Sequence, residues 1–260
     1  MKNIFVALAA ECIKMRRSRI FWITIGLFIF IPVMMGLLML VAQHPEIAKK
    51  LGIVGTKAQL FGENNWEGFF MMLNQLIASV GLIGFGFVTA WIFGREHIER
   101  TITNIMSLPV SRQAIVSAKF IVVFGWSAIL VLVLLISGLL MGYIISIPGW
   151  SEHVFKEFLN KYILISVLTI LLSSPVAFIA GYGRGIIAPI AFVIFMLIMA
   201  QFVALVGWGP YFPWAIPGVI SVKDGTEGME IVFASYIIVL ITSLIGYFGT
   251  IAWWKYADQK

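Results

Sequence analysis

The stretch FIVVFGWSAILVLVLLISGLLMGYIISI, residues 120–147, runs for 28 residues without one Asp, Glu, Lys, Arg or His. A helix needs about 20 apolar residues to cross a hydrocarbon core of roughly 30 Å, so this block is long enough to span. An ionised side chain at the centre of such a helix costs ~2.5–3.5 kcal/mol on insertion, so length without charge marks a span. Five further blocks share the property: Ile20–Ala42, Phe69–Phe93, Tyr162–Tyr182, Ile186–Gly207 and Ile231–Trp254, each between 21 and 25 residues long. The whole chain of 260 residues is 61% hydrophobic and 12% charged, where a soluble domain runs nearer ~45–50% and ~25%. That balance excludes a soluble enzyme and a disordered chain. Core helices of a large soluble protein would need polar outer faces that these blocks lack. The lone Cys12 forms no internal disulfide and no zinc cluster. The expected fold is an all-α membrane protein of six transmembrane helices.

Orientation follows from the basic residues. With the N-terminus inside, the inner segments 1–19, 94–119, 183–185 and 255–260 hold twelve of the eighteen Lys and Arg, and the outer loops hold six. This bias predicts that both termini are cytoplasmic. Trp22, Trp91, Trp253 and Trp254 fall near inner ends and Trp66, Trp150, Trp208 and Trp214 near outer ends, as an aromatic belt requires. The first block is longer than a 7–15-residue signal core and starts after 19 residues, so it reads as a span.

Two domains of unequal size are expected: an interfacial amphipathic helix over 1–19 and a single transmembrane domain over 20–260. At 100° per residue, Asn3, Glu11, Lys14, Arg17 and Ser18 share one arc of the first segment, with Phe5, Leu8, Cys12 and Met15 opposite. A basic face over an apolar underside suits the inner leaflet. A plain topology-setting basic stretch is the alternative.

The inner loop Gly94–Lys119 reads GREHIERTITNIMSLPVSRQAIVSAK. Over Glu96–Ser107 the spacing predicts a short helix with Ile98, Ile102, Ile105 and Met106 on one face. Glu96, Arg100, Thr103 and Ser107 lie on the other, and Glu96 and Arg100 form an i,i+4 pair. Pro109 ends it by pushing Leu108 out of the helical region. Such a helix has one face free to touch a partner, although a solvated loop with a surface helix would look the same.

In the outer loop 208–230, Trp208, Pro210, Tyr211, Phe212, Pro213, Trp214 and Pro217 crowd together ahead of Asp224, Glu227 and Glu230. The prolines forbid a regular helix, and the aromatics place the segment in the outer interface as an anchor or an exit cap. Within the spans the polar groups are few: Asn74, Gln75, Gln201, and the Ser173–Ser174–Pro175 kink, which with Gln201 is expected to bond between helices. Gly138 and Gly142 form a GxxxG pair, and Gly81 heads a small-residue face, so these are candidates for close helix packing within one chain or between two copies.

The catalytic inventory is empty. No GxxxxGK[ST] is present to cradle a nucleotide, no HExxH occurs, and His44, His97 and His153 sit in separate loops. Ion-coupled carriers place acids or histidines at membrane depth, and these spans have none. The chain is either passive or driven by another subunit.

The run Gly94-Arg95-Glu96…Glu99-Arg100-Thr101…Ser107-Leu108-Pro109-Val110-Ser111-Arg112…Ala118-Lys119 closely resembles the first cytoplasmic loop of ABC-2-type ABC transporter permeases. There an acidic residue, a Gly-Thr pair and a Leu-Pro-small-Ser/Thr-Arg segment introduce the third helix; here Arg100 stands in place of the glycine. The opening Glu11…Lys14…Arg17-Ser18 is similar too. The resemblance implies an ABC-2, type V exporter-like architecture in a bacterial plasma membrane. It implies a transport subunit with no enzymatic site and no cofactor of its own. ATP and Mg would be bound by two copies of a separate ABC ATPase, and a second permease copy or paralogue would complete the transporter among membrane lipids, with no nucleic acid involved. The loop helix would couple to the ATPase through Arg95, Glu96, Glu99, Arg100, Thr101, Asn104, Leu108, Pro109, Ser111 and Arg112. Size and small outer loops look most like bacitracin- or lantibiotic-immunity or peptide-export permeases, which implies export of an amphipathic, peptide or lipid-like compound. An ATPase-independent scaffold or sensor that binds a partner through loop 94–119 is the reading from another class.

Overall fold

The computed structural model describes residues 2–43, 64–102, 110–222 and 231–257. All regular structure among them is helical: α1 Lys2–Arg17, α2 Arg19–Gln43, α3 Trp66–Ile98, α4 Arg112–Ile144, α5 Glu152–Leu171, α6 Ser174–Tyr182, α7 Ile187–Leu205, α8 Ile216–Ser221 and α9 Phe233–Tyr256. Six spans result, with α5 and α6 together making the fourth. Each of the six apolar blocks falls on one span.

The helices outrun the apolar blocks. α3 and α4 each have 33 residues, about 50 Å at 1.5 Å per residue, well beyond the hydrocarbon thickness. Their surplus carries Arg95, Glu96 and His97 at the end of α3, and Arg112 to Lys119 at the start of α4. Likewise Glu152–Lys161, read from sequence as loop, forms the first turns of α5. Helix starts are set by polar caps: Asn65 Oδ1 accepts from Gly68 N at 2.8 Å and Ser111 Oγ from Ala114 N at 3.3 Å, each satisfying a donor the first turn would otherwise orphan.

α3 is the axis of the bundle and packs on α4, α5, α6, α7 and α8. In α3 61% of the spanning window is buried, against 17% in α7. The contiguous core includes Phe69, Leu73, Ile77, Phe85 and Phe93 of α3, with Val116, Trp126 and Leu130 of α4. α2 docks on α4 and α9 docks on α6. The expected break at Ser173–Ser174–Pro175 is present, since α5 ends at Leu171 and α6 restarts at Ser174 with Pro175 in its first turn, where a missing N–H is harmless. Ser174 Oγ lies 3.1 Å from Ser243 Oγ of α9, a hydrogen bond of the kind expected there. Gln201 is exposed and lines a cavity with Gln75 and Trp214.

The proline-rich segment after α7 does form helix, in two short pieces: a 3₁₀ turn at Gly209–Tyr211 and α8. Pro210 and Pro217 sit in the first turns, the positions a helix tolerates. Ala215, Ile216 and Pro217 are buried because α8 packs on α3 and α5. The α8 part thus turns into the protein, while Trp208 and Tyr211 before it stay exposed. Asp224, Glu227 and Glu230 lie outside the described residues.

The glycine pair finds its partner inside the chain. A Cβ on Gly138 would meet Leu73 Cδ2 at 2.8 Å, and one on Gly142 would meet the Trp66 ring at 2.4 Å. Both seat α4 against α3. Gly81 is buried too, but its would-be Cβ faces Ile77 and Phe85 of its own helix at 3.2 Å, so it makes room for a ring and not for another helix.

Candidate functional site

At the end of the bundle where α1 lies, four helix ends converge around a buried ion cluster. Lys119 Nζ sits 2.7 Å from Glu96 Oε1, 3.4 Å from Glu11 Oε2 and 3.0 Å from the Ile92 carbonyl oxygen. Lys14 Nζ reaches Glu11 Oε1 at 2.6 Å and Glu96 Oε1 at 3.1 Å. Lys119 is 0% and Glu96 1% exposed. Two acids and two ammonium groups neutralise one another, the condition under which charge survives burial. Lys119 also stands near the faces of Phe93 and Trp254, 5.9 and 6.0 Å from the ring centroids. Through this one side chain α1, α3, α4 and α9 are tied together.

This geometry corrects two expectations. The first concerns α1. Glu11 and Lys14 were expected on an outward polar arc, yet Glu11 is buried and Lys14 half-buried. The inward stripe is Ala7, Leu8, Glu11, Lys14, Met15 and Ser18, against α4. Phe5 and Cys12, expected beside Leu8 and Met15 on the apolar underside, are exposed. Tertiary charge partners decide the face, because an inward Glu11 meets Lys119.

The second concerns Glu96–Ser107. No single helix covers it, since residues 96–98 are the last turn of α3 and the helix stops at Glu99 and Arg100. Arg100 N donates to the His97 carbonyl at 3.3 Å and Thr101 N to the Glu96 carbonyl at 3.0 Å. With Arg100 at φ 52° this is the Schellman stop, whose left-handed residue is usually glycine. Glu96 therefore turns inward to Lys119, and its expected pairing with Arg100 on a free face gives way to the buried cluster.

The remaining expected contact residues divide as follows. Arg95 is half-buried, while Glu99 and Arg100 are exposed and Thr101 half-buried. Asn104, Leu108 and Pro109 lie outside the described residues. Ser111 is the cap of α4. Arg112 Nη1 donates to the Trp254 and Lys255 carbonyls at 3.1 and 3.3 Å, satisfying acceptors left open by the C-terminus of α9. The open surface of this end, among the described residues of 94–119, is Ile98, Glu99, Arg100, Ser111, Arg112 and Gln113.

Sequence reading missed Lys119 as the hub, Glu11 as its partner and the α9 carbonyls as the target of Arg112. The available signal was that acids are rare in the segments assigned inside, and that two of them, Glu11 and Glu96, flank spans within reach of Lys119. Gly94 was also passed over: a Cβ there would fall 2.6 Å from the Gly185 carbonyl oxygen, so α3 touches the α6–α7 turn backbone to backbone.

The cluster fixes a pH window for α1. Burial pushes the Glu11 carboxyl up, but Lys119 and Lys14 outweigh it and hold the group below its ordinary 4.5. Burial pushes Lys14 down, but Glu11 and Glu96 outweigh it and hold the ammonium above 10.5. The Glu11 contribution is thus present above 4.5 and lost as pH falls through the depressed value. The Lys14 contribution is present below 10.5 and lost as pH rises through the elevated one. A nitroxide attached at Leu8→Cys, in a Cys12→Ser background, should keep one mobility between these limits and loosen beyond either. Loosening near neutral pH would show that α1 is held by something else.

The family described as "ABC-2 family transporter protein" matches residues 7–201, from within α1 to within α7. The bacitracin transport permease protein BCRB of Bacillus licheniformis is 28% identical over 184 residues, covering 70% of this chain and 88% of that one. No solved structure matches.

Proposed function

Because the chain belongs to the ABC-2 transporter family and is a multi-pass membrane permease of an ABC transporter, we propose that it is the cargo-conducting subunit of an ATP-driven exporter. In this reading the α1 end faces the cytoplasm, where two copies of an ABC ATPase dock, and a second permease copy or paralogue completes the pore. The cargo is an amphipathic, peptide or lipid-like compound, in the manner of antibiotic self-protection. The bacitracin transport permease named above supports that class, as do six spans whose apolar blocks carry no charge.

The observation that carries the mechanism is the anchoring of the loop between α3 and α4. Its two bases are bound to different helices: Glu96 joins α1 and α4 through Lys14 and Lys119, and Arg112 joins the end of α9. A partner that pulls on Glu99, Arg100 or Ser111 therefore moves four helices together and not a slack loop. Such a joint has the properties of a coupling lever, because packed elements shift as units. Buried Glu96 acts in it as a positioning residue, while exposed Glu99 and Arg100 supply the contact charges.

Co-purification with an ABC ATPase from the same organism tests the reading. The paired substitution Glu99→Arg and Arg100→Glu should weaken ATPase capture about tenfold or more through reversed interface charge and remove transport, with the thermal midpoint of the permease unchanged. No ATPase bound to the unmodified chain would favour an ATPase-independent scaffold, and full capture and transport in that variant would place the ATPase contact away from Glu99 and Arg100.

A further inference from the structure

We propose that the outward face of α7 is where a second copy of this chain packs, with Gln201 of one copy hydrogen-bonded to Gln201 of the other. α7 is the span least held by its own chain, with 17% of its window buried against 28% or more in the other five. Its uncovered side is a single stripe, Ile187, Ala191, Ile194, Ile198, Gln201 and Leu205, every one of them exposed. The steps along it alternate between four and three residues, the period of 3.5 by which one helix seats its side chains along another. α2 and α9 also turn wide faces outward, at Trp22, Leu27 and Phe30 and at Ile237, Ile241 and Leu244. Within their apolar blocks those faces expose no carboxamide and no hydroxyl, so lipid tails cover them without loss. The α7 side differs. Among the described residues of the six blocks the exposed carboxamides are Gln75 and Gln201, and both line one cleft of about 420 Å³ between α3, α7 and α8. A carboxamide set against hydrocarbon forfeits its hydrogen bonds, so this side is built to meet something other than lipid tails.

The side chain itself selects a second copy as the occupant. Both copies enter the membrane with one topology, so the axis relating them runs along the membrane normal and the two α7 helices lie parallel. Each residue of the stripe then stands at the depth of its counterpart, in a seam where the same patch meets itself. A carboxamide carries donors and acceptors together, so two of them satisfy each other across such an axis. A lone Asn at a seam position of a parallel coiled coil fixes register in the same way. The proposal takes the second permease from the exporter reading and narrows it to a copy of this chain and to one face. It is measured on the permease alone.

The full chain in a Cys12→Ser background, in lipid vesicles, carries one new cysteine at a time: Ile194→Cys or Ile198→Cys on the stripe, Leu27→Cys on α2, or Ile241→Cys on α9. The four replaced side chains are between 46% and 52% exposed, so exposure does not separate them. Oxidation with copper phenanthroline should link the two α7 variants into dimers and leave the other two unlinked. Förster transfer between labelled copies, followed as added lipid dilutes the protein, gives the dimer affinity. Gln201→Leu keeps the bulk and removes donor and acceptor, and it should weaken the dimer about three- to thirtyfold, the worth of an interhelical hydrogen bond in a bilayer. Dimers linked through Leu27→Cys or Ile241→Cys and not through α7 overturn the proposal. So does a chain that stays monomeric, as a permease paired with a paralogue would. A Gln201→Leu dimer as strong as the unmodified one overturns it too, and loss of transport in that dimer would assign the cleft to the cargo. Linking through α7 in a chain that captures no ATPase would sink the exporter reading and leave this one standing.

Discussion

Lys119→Met is expected to lower the thermal midpoint of the purified permease more than any other single charge removal, with a loss of about 3–5 kcal/mol. Methionine fills nearly the same space, so the effect is electrostatic. Lys119 Nζ is the group that Glu96 and Glu11 share, and neither acid has water to fall back on. With the ammonium gone, two buried carboxylates face a single half-buried lysine, Lys14. The pair is left without its full counter-charge. The double variant Glu96→Gln with Lys119→Met leaves Glu11 and Lys14 as a balanced pair, so it should recover part of the loss. The coupling in the resulting double-mutant cycle should reach about 0.5–3 kcal/mol, the range for side chains in one network. Transport should fall in the single variant even at temperatures where it stays folded, because α1 and α4 lose their common tie to the base of the loop. A midpoint unchanged in Lys119→Met would mean that the cluster contributes nothing to the fold.

How much of this was legible in the sequence depends on what each feature rests on. The six spans were fully readable, because the absence of charge over twenty residues is a property of the local segment and the bilayer enforces it. The Ser173–Ser174–Pro175 break was readable for the same reason: proline removes a donor wherever it sits. The existence of α1 was readable from its helical period, but its inward face was not. Glu11 and Lys14 look like surface residues until they are placed beside Glu96 and Lys119, which are 82 to 108 residues away in the chain. Arg112 has the same problem, since its acceptors are 142 and 143 residues downstream. Periodicity predicted that helix continues past Glu96; backbone geometry at Arg100 stopped it. The family's glycine at that place was the clue, because a residue with φ 52° is where glycine is preferred. Local rules gave the spans, and long-range charge gave the joint at their end.

The second large effect belongs to a position that sequence patterns did not mark. Gly246 of α9 lies where α9 crosses α6, and a Cβ there would fall 2.4 Å from Pro175 N, 2.6 Å from the Ser174 carbonyl carbon and 2.7 Å from Pro175 Cα. All three are backbone atoms, which do not swing aside as a side-chain tip does. One turn earlier, Ser243 meets Ser174 at 3.1 Å, so the helices touch at the level where the fourth span is broken. Association in a bilayer draws on such close backbone approach, since lipid tails are as apolar as leucine and give helices no hydrophobic reason to meet. Gly246→Ala is expected to destabilise by about 1–3 kcal/mol through overpacking, and Gly246→Val by more, because its second branch has nowhere to go. The control sits three residues on. A Cβ on Gly249 would rest 3.5 Å from the Phe178 ring, which is ordinary contact, and alanine is the better helix former by about 1 kcal/mol. Gly249→Ala should therefore match or exceed the unmodified midpoint, while Gly246→Ala on the same helix falls below it. Both substitutions add one methyl to one apolar helix, so lipid partitioning and helix propensity cancel in the comparison. Equal midpoints for the two variants would place α9 farther from α6 than 2.4 Å from a Cβ to backbone allows, and with it the account of how the last span is held.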